Sequence, residues 1–386
     1  MFSDKDIEHF SKLETPFYFY DLGLLNRTLS TCKVASDSRH YHVHYAMKSN
    51  FNPKVIAQVK AAGFGADCVS IGEVKAAIEA GFPANQIVFA GVGKSDLEIQ
   101  QALDLNIFCF NVESIQELSV INNLAGEMNK IAKVAIRINP NVDAHTHAHI
   151  TTGLDENKFG INSWDLTDCA KILKAAQNLE FIGIHFHVGS QITNLEVFKN
   201  LCNRVNEFAA WFEDRGFQVK VLNVGGGLGI DYQNPDYQIP DFEAYFKVFQ
   251  DFLQVQPHQE VHFELGRALV GQCAAVISRI LYVKNGKKKN FLVLDVGMTE
   301  LMRPALYQAY HLIENLSATV NPREVNLKYD IVGPICESTD CFGKEVDFPE
   351  SFRNDLIAIR STGAYGEVMA SKYNLRPEIV TVFKEK

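Results

Sequence analysis

The chain has 386 residues, and a prior of roughly 150 residues per domain suggests two or three domains, or one large α/β barrel with an extra domain. Its 47% hydrophobic and 22% charged content, with 12 prolines and 25 glycines, supplies ample apolar material for large cores and excludes a mainly disordered or collagen-like chain. The 37 basic residues are outnumbered by 46 acidic ones, a formal charge of −9 without a long basic stripe, so phosphate-backbone binding has little electrostatic support and no nucleic acid partner is expected.

In chain order, the opening residues alternate charged and apolar side chains and lack the apolar run of a secretory leader. Later segments never reach the ~18 continuous apolar residues of a membrane span. A cytoplasmic protein with no membrane partner is the expectation. Strand-like residues 17–21 follow Thr15 and Pro16 without a helix of their own, and pairing with sheet near the other chain end would suit them. From about residue 40, short β-branched or aromatic runs alternate with helical patterns, the signal for βα units and a parallel sheet. The strand candidates are 42–48, 65–69, 87–90, 107–110, 134–138, 182–187, 221–224 and 261–265. Helical segments between them include 53–62 opened by Asn52, 73–80 ended by Gly81 and 195–215 ended by Gly216. Eight such units predict a closed (β/α)8 TIM-like barrel over 24–270. Beyond it the runs 274–283 and 291–296, joined through Asn285 and Gly286, read as a hairpin opening a mainly β C-terminal domain, with 1–23 added to 271–386.

Eight cysteines, at 32, 68, 109, 169, 202, 273, 336 and 341, are scattered with no CxxC pair, and most read as reduced core residues. Cys336 and Cys341 differ because they lie in a polar loop, 333–341.

Active sites of (β/α)8 barrels form at the C-terminal ends of the strands. Lys48, Asp67, Arg137, His187 with Ser190, Gly225 to Gly227, and Glu264 with Arg267 fall at such ends. Period-two alternation puts His44, Ala46 and Lys48 on one face, where Lys48 is either functional or an ion-pair partner of Asp67 or Glu264. The run Gly225-Gly-Gly227 frees backbone N–H groups to approach an anion, or is a tight turn. A dinucleotide fingerprint fails because Ile230 stands where its last glycine belongs, and a P-loop ending at Lys94 fails because Val88 replaces the earlier glycine. A lysine, an anion nest and a carboxylate together match pyridoxal phosphate (PLP), which needs a lysine for its aldehyde, backbone N–H groups for its phosphate and a carboxylate opposite its ring nitrogen. Glu264 suits the last part.

Nine segments in order carry a family resemblance: Thr15-Pro-Phe-Tyr, Tyr45-Ala-Met-Lys-Ser-Asn, Gly153-Leu-Asp-Glu-Asn-Lys-Phe-Gly-Ile161, Gly183-Ile-His-Phe-His-Val-Gly-Ser-Gln191, Gly225-Gly-Gly, Glu264-Leu-Gly-Arg, Arg303-Pro-Ala-Leu-Tyr307, Cys336-Glu-Ser and Gly363-Ala-Tyr-Gly366. Together they make the chain resemble the PLP-dependent decarboxylases built from an alanine-racemase-like barrel and a β domain. The resemblance implies that Lys48 bears the cofactor and His187 stacks on its ring. Asp67, Arg137 and Glu264 would lie on the cofactor side, with Glu264 at the ring nitrogen. Ser190, Gly225, Gly226, Gly227, Gly266, Arg267 and Tyr365 would surround the phosphate, Arg267 and Tyr365 also reaching substrate. It further implies a homodimer in which Cys336, the proton donor, and Glu337, the grip on a distal amino group, enter the partner's site. Arg303 and Tyr307 would bind a distal carboxylate. The expected reaction is decarboxylation of meso-2,6-diaminopimelate to L-lysine, the rivals being arginine or ornithine as substrate, a racemase, or a catalytically silent binding homologue. Cys341 is the rival proton donor. The family's usual proline is replaced by Leu265, which leaves an extra backbone N–H and a less restricted φ.

Two histidine sets alternate along the chain, His40, His42 and His44, then His145, His147 and His149. With no Cys or Glu at ligand spacing beside either set, no metal is expected.

Overall fold

The computed structural model describes residues 2–142 and 158–385. The chain groups into two compact units, one of Leu29–Gly229 and Asp241–Arg267, the other of Met1–Thr28, Ile230–Pro240 and Ala268–Lys386. Strands among the described residues are β1 (Phe17–Asp21), β2 (His42–Ala46), β3 (Gly65–Cys68), β4 (Ile87–Phe89), β5 (Cys109–Val112), β6 (Ala132–Arg137), β7 (Leu179–His185), β8 (Val221–Asn223), β9 (Glu260–Leu265), β10 (Ala274–Asn285), β11 (Asn290–Leu294), β12 (Ile313–Asn315), β13 (Asn326–Val332), β14 (Cys341–Pro349), β15 (Leu356–Ile359) and β16 (Val380–Lys384).

In the first unit β2 to β9 form a closed, all-parallel barrel, with β9 pairing back onto β2 through His42↔His262 and His44↔Glu264. The eight expected βα units are therefore present. Side-chain hydroxyls and amides fix where the intervening helices begin. Asn52 accepts from the Lys54 N–H ahead of Pro53–Ala61, Ser70 from Glu73 ahead of Ile71–Glu79, and Ser114 from Glu117 ahead of Ile115–Glu127. Ser95 and Glu98 form a reciprocal capping box on Asp96–Asp104. Each cap follows a strand end by a few residues, so the turns that carry chemistry have fixed starts and ends.

Register places small or apolar residues one step below polar ones on the inner face: Gly65 below Asp67, Cys109 below Asn111, Ala135 below Arg137, Gly183 below His185, and Val221 below Asn223. Most strand bounds differ from expectation by one to three residues, and two of these differences have a clear local cause. β2 stops at Ala46 because Met47–Ser49 forms a 3-10 turn in which Ser49 Oγ donates to Ala46 O, so Lys48 projects from a turn and not from the strand face. β5 starts at Cys109 because Asn106, at φ +52°, ends the preceding helix and delays pairing.

The second unit is a mainly antiparallel β domain of order β12-β15-β10-β11-β13-β14, to which β1 and β16 add. β1 runs antiparallel to β10 (Phe17↔Ile277) and parallel to β16 (Phe17↔Val380), so the two chain ends do share one sheet. Phe10, Phe17 and Phe19 pack there with Ile277, Leu316 and Leu356. β10 and β11 form the expected hairpin, closed by Gly286 N–H on Lys289 O. Among the described residues no helix is long and apolar enough to cross a membrane.

A Cβ built on Gly183 would lie 2.0 Å from the Val221 carbonyl oxygen of the adjacent barrel strand. Gly183→Ala must therefore push β7 from β8, and a loss of about 3 kcal/mol, the upper end of overpacking costs, is expected in urea unfolding of the full chain.

Candidate active site

Four barrel strands meet at one buried carboxylate. Glu264, near the end of β9, accepts from Asn111 Nδ2 at 3.0 Å and Asn223 Nδ2 at 2.8 Å through one oxygen, and meets His185 Nε2 at 3.0 Å through the other. Burial alone would push its carboxyl up, but the charge and hydrogen bond of His185, with Lys48 and His187 nearby, outweigh burial and hold it far below the usual carboxylate range. Lys48 Nζ donates to Asp67 Oδ2 at 2.9 Å. Asp67 is shifted the other way, raised by its complete burial and by the charge of Glu264, which Lys48 offsets only in part. One carboxylate is thus kept ionised while its neighbour is biased toward the proton, the pattern expected where two acids have different tasks. Asp67 Oδ1 is buried with no hydrogen-bond partner, an orphan that a polar ligand group would satisfy.

Beside this cluster, burial and then the charges of Arg137 and Lys48 lower the pKa of His187, so its ring is neutral at neutral pH. Its Nδ1 accepts from Gly226 N–H at 3.4 Å. Gly225 and Gly227 lie at φ +71° and +116°, conformations that side chains resist, and a Cβ on Gly226 would come within 1.9 Å of Glu264 O. Arg267 stacks two nitrogens against Ser190 Oγ, at 3.4 and 3.1 Å, and Gly266 packs on Ser49. The structure therefore brings Lys48, Asp67, His187, Ser190, Gly225 to Gly227, Glu264, Gly266 and Arg267 together in the barrel unit. Arg137 is drawn aside into a buried ion pair with Glu113 at 2.7 Å.

The β unit carries the remaining candidates. Cys336 and Glu337 are exposed at the tip of a loop whose base is pinned by Asp340, which accepts from Ile335 N–H at 2.7 Å and Met298 N–H at 2.6 Å. Tyr373 Oη donates to Glu337 at 2.9 Å. Cys341 is half buried, donates to Gly343 O, and has its thiol pKa raised by burial, which leaves Cys336 the better-presented thiol. Arg303 Nη1 donates to His311 Nε2 at 2.8 Å, the ring in turn donating to Arg360 O, while Tyr232 lies under the guanidinium. Tyr307 ends the same short helix, Arg303–Tyr307, and Tyr365 stands at φ +56°.

Sequence reasoning missed Asn111, Asn223 and Glu113, and gave His185, which stands at its strand end, no role of its own. Ending strand five at 110 cut off Asn111 and Glu113. Asn223 was counted within an apolar run, where a lone amide on the inner face is itself the signal. The segment 153–161 falls outside the described residues up to 157, as do His145, His147 and His149.

Comparison with known proteins fits this geometry. The family model for the pyridoxal binding domain of the pyridoxal-dependent decarboxylases matches residues 22–271. The chain belongs to the pyridoxal-dependent decarboxylases. It is 57% identical to diaminopimelate decarboxylase of Bacteroides thetaiotaomicron over 372 residues, 96% of this chain and 95% of the relative. The crystal structure of diaminopimelate decarboxylase from Helicobacter pylori complexed with L-lysine superposes with a TM-score of 0.91 at 38% identity, covering 98% of this chain and 94% of that one. Within its class, then, the chain is a member of the diaminopimelate decarboxylase family. A lysine/ornithine decarboxylase from Vibrio vulnificus, at 20% identity and a TM-score of 0.85 over 100% of this chain and 99% of its own, shares the fold.

The residues fit the cofactor that the family implies: a lysine amine, an ionised carboxylate fixed by three donors, glycines too crowded or too twisted for side chains, and an orphan carboxylate oxygen. Lys48→Ala is expected to abolish the visible absorption of the purified protein, and an unchanged band would remove Lys48 from this role. Glu264→Gln, which keeps shape but not charge, is expected to retain cofactor while lowering kcat by about 100-fold or more.

Proposed function

We propose that the chain removes CO2 from meso-2,6-diaminopimelate to give L-lysine, the last step of making that amino acid, as a PLP-dependent carboxy-lyase. The observation that carries this is the Glu264 cluster: an ionised carboxylate locked by Asn111, Asn223 and His185 beside a lysine, in a chain 57% identical to a diaminopimelate decarboxylase. When bound, PLP supplies the electron sink for the bond that loses CO2. Lys48 would present the amine that holds the cofactor. Glu264 would keep the ring nitrogen protonated, and the neutral imidazole of His187 would help to hold the ring. Ser190, Gly225, Gly226, Gly227, Gly266, Arg267 and Tyr365 bind the phosphate, with Asp67 and Arg137 supporting Lys48 and the site's wall.

In this reading Arg303 and Tyr307 bind the distal carboxylate, and Arg267 and Tyr365 also touch substrate. The lock of Arg303 on His311 supports that role, because a fixed guanidinium discriminates carboxylates by position. Cys336 Sγ delivers the proton that replaces CO2 on the α carbon and is reprotonated from water. Glu337 takes the distal ammonium. Both would come from the partner of a homodimer, so that the barrel over 24–270 binds PLP and the β domain of 1–23 and 271–386 supplies substrate and dimer-interface residues. Exposure of both side chains on a pinned loop supports this. Eight unpaired cysteines support a reducing, cytoplasmic setting.

CO2 release should be far faster from meso-diaminopimelate than from arginine or ornithine, and a preference for either of the latter would overturn the substrate. Mixing inactive Lys48→Ala and Cys336→Ala chains should recover part of the activity through hybrid dimers, and no recovery would argue against shared sites. Arg303→Ala should lower diaminopimelate turnover far more than residual turnover of lysine-like substrates lacking the second carboxylate.

A further inference from the structure

At the opposite, N-terminal end of the barrel strands, three metal-ligating side chains converge that the reaction does not use. His42 lies on β2, the first barrel strand, and Glu260 and His262 on β9, the last. Glu260 Oε2 is 3.3 Å from His262 Nε2 and 3.8 Å from His42 Nε2, and all three ligand atoms lie within 4.8 Å of one another. Ligands bound at about 2.0–2.1 Å in a tetrahedron stand roughly 3.3 Å apart, so small rotamer changes suffice.

A second observation concerns what lies behind His262. Its Nδ1 is 2.9 Å from His44 Nε2, and His44 Nδ1 is 3.1 Å from the carbonyl oxygen of Gln86. That oxygen only accepts, so His44 Nδ1 carries a proton. With His44 as the neutral ring, its Nε2 accepts the Nδ1 proton of His262 and leaves the Nε2 lone pair of His262 facing Glu260 and His42. This is the relay of outer hydrogen bonds that orients imidazoles bound to metals. Gly65 makes room for it, since a Cβ there would stand 2.6 Å from His44 Nδ1. The rings are also fixed by packing, His262 stacking on Phe108 with centroids 5.6 Å apart. An open groove of about 580 Å³ runs beside His42 and His44.

We propose that His42, Glu260 and His262 bind a divalent transition-metal ion of the Zn2+ class, clipping together the first and last strands where the barrel closes. Two imidazoles and a carboxylate suit that ion better than calcium or magnesium. Neither exposed ligand belongs to the active site.

The test uses the full-length holoenzyme, stripped with a chelator that leaves its visible band intact, then titrated with ZnCl2 by calorimetry and by thermal melting. One Zn2+ per chain is expected, with a rise in apparent Tm that follows zinc concentration. His42→Ala and Glu260→Gln alter exposed side chains and should keep the visible band and decarboxylase activity. Each should weaken zinc binding by about 10-fold or more, the cost of losing even an outer partner, and remove the rise in Tm. Wild-type affinity and an unchanged Tm response in both variants would place any bound zinc elsewhere, at Cys336 for instance, and overturn the proposal, as would a wild-type chain that takes up no zinc.

Discussion

A carboxylate withdrawn from water inside a barrel has to be compensated on every lone pair, and the way Glu264 is compensated dictates much of what surrounds it. Two amides on one oxygen and an imidazole on the other consume the inner-face positions of β5, β8 and β7 at that level. Removing one partner from a buried charge costs about 3–5 kcal/mol, so those three strands cannot shift register without losing more than packing. The same cluster sets the contrast with Asp67. Complete burial raises Asp67, its ionised neighbour adds to this, and Lys48 offsets the rise only in part. One electrostatic commitment therefore assigns different protonation behaviour to two acids in one pocket.

Below that level the barrel is filled by small and apolar residues, and this supports the polar layer mechanically. Gly183 and Gly65 have no room for a Cβ, while Val88, Cys109, Ala135, Ile182 and Val221 pack as one cluster. Strand closeness at Gly183 and Val221 brings His185 and Asn223, one step further along, to opposite oxygens of Glu264. Positioning here is a property of the layer beneath the site as much as of the site.

The fold was legible in the sequence because βα alternation repeats eight times and capping residues mark several of the helices, each a weak signal in a fixed order. Lys48, His187, Glu264 and the glycine run were legible as residue types that are unusual where they stand. Asn111 and Asn223 were harder to find, and His185, visible at its strand end, carried no evident role. An amide on an inner strand face has no chemistry of its own, and its role exists only through a carboxylate 153 residues away in the case of Asn111. The strand ends were misplaced by one or two residues where turn chemistry, the Ser49 hydroxyl on Ala46 O and the left-handed Asn106, overrode β propensity. The histidines of β2 were set aside because no Glu or Cys lay near them in sequence. In space their partners come from β9, the last barrel strand.

The pairing of β2 with β9 is the seam of the barrel, and it has chemistry at both ends. Period-two alternation puts Glu260, His262 and Glu264 on one face of β9, while the register His42↔His262 and His44↔Glu264 puts two imidazoles of β2 beside them. A slip of one residue would turn that whole face outward, losing Glu264 from the site at one end and the His42, Glu260 and His262 cluster at the other. The carboxylate network at the top and the histidine relay at the bottom thus select the same register. Barrel closure, which has no turn chemistry to fix it because β2 and β9 are the barrel strands most distant in sequence, is specified at one end by the histidine contacts across this pair and at the other by the contacts that Glu264 of β9 makes with β5, β7 and β8.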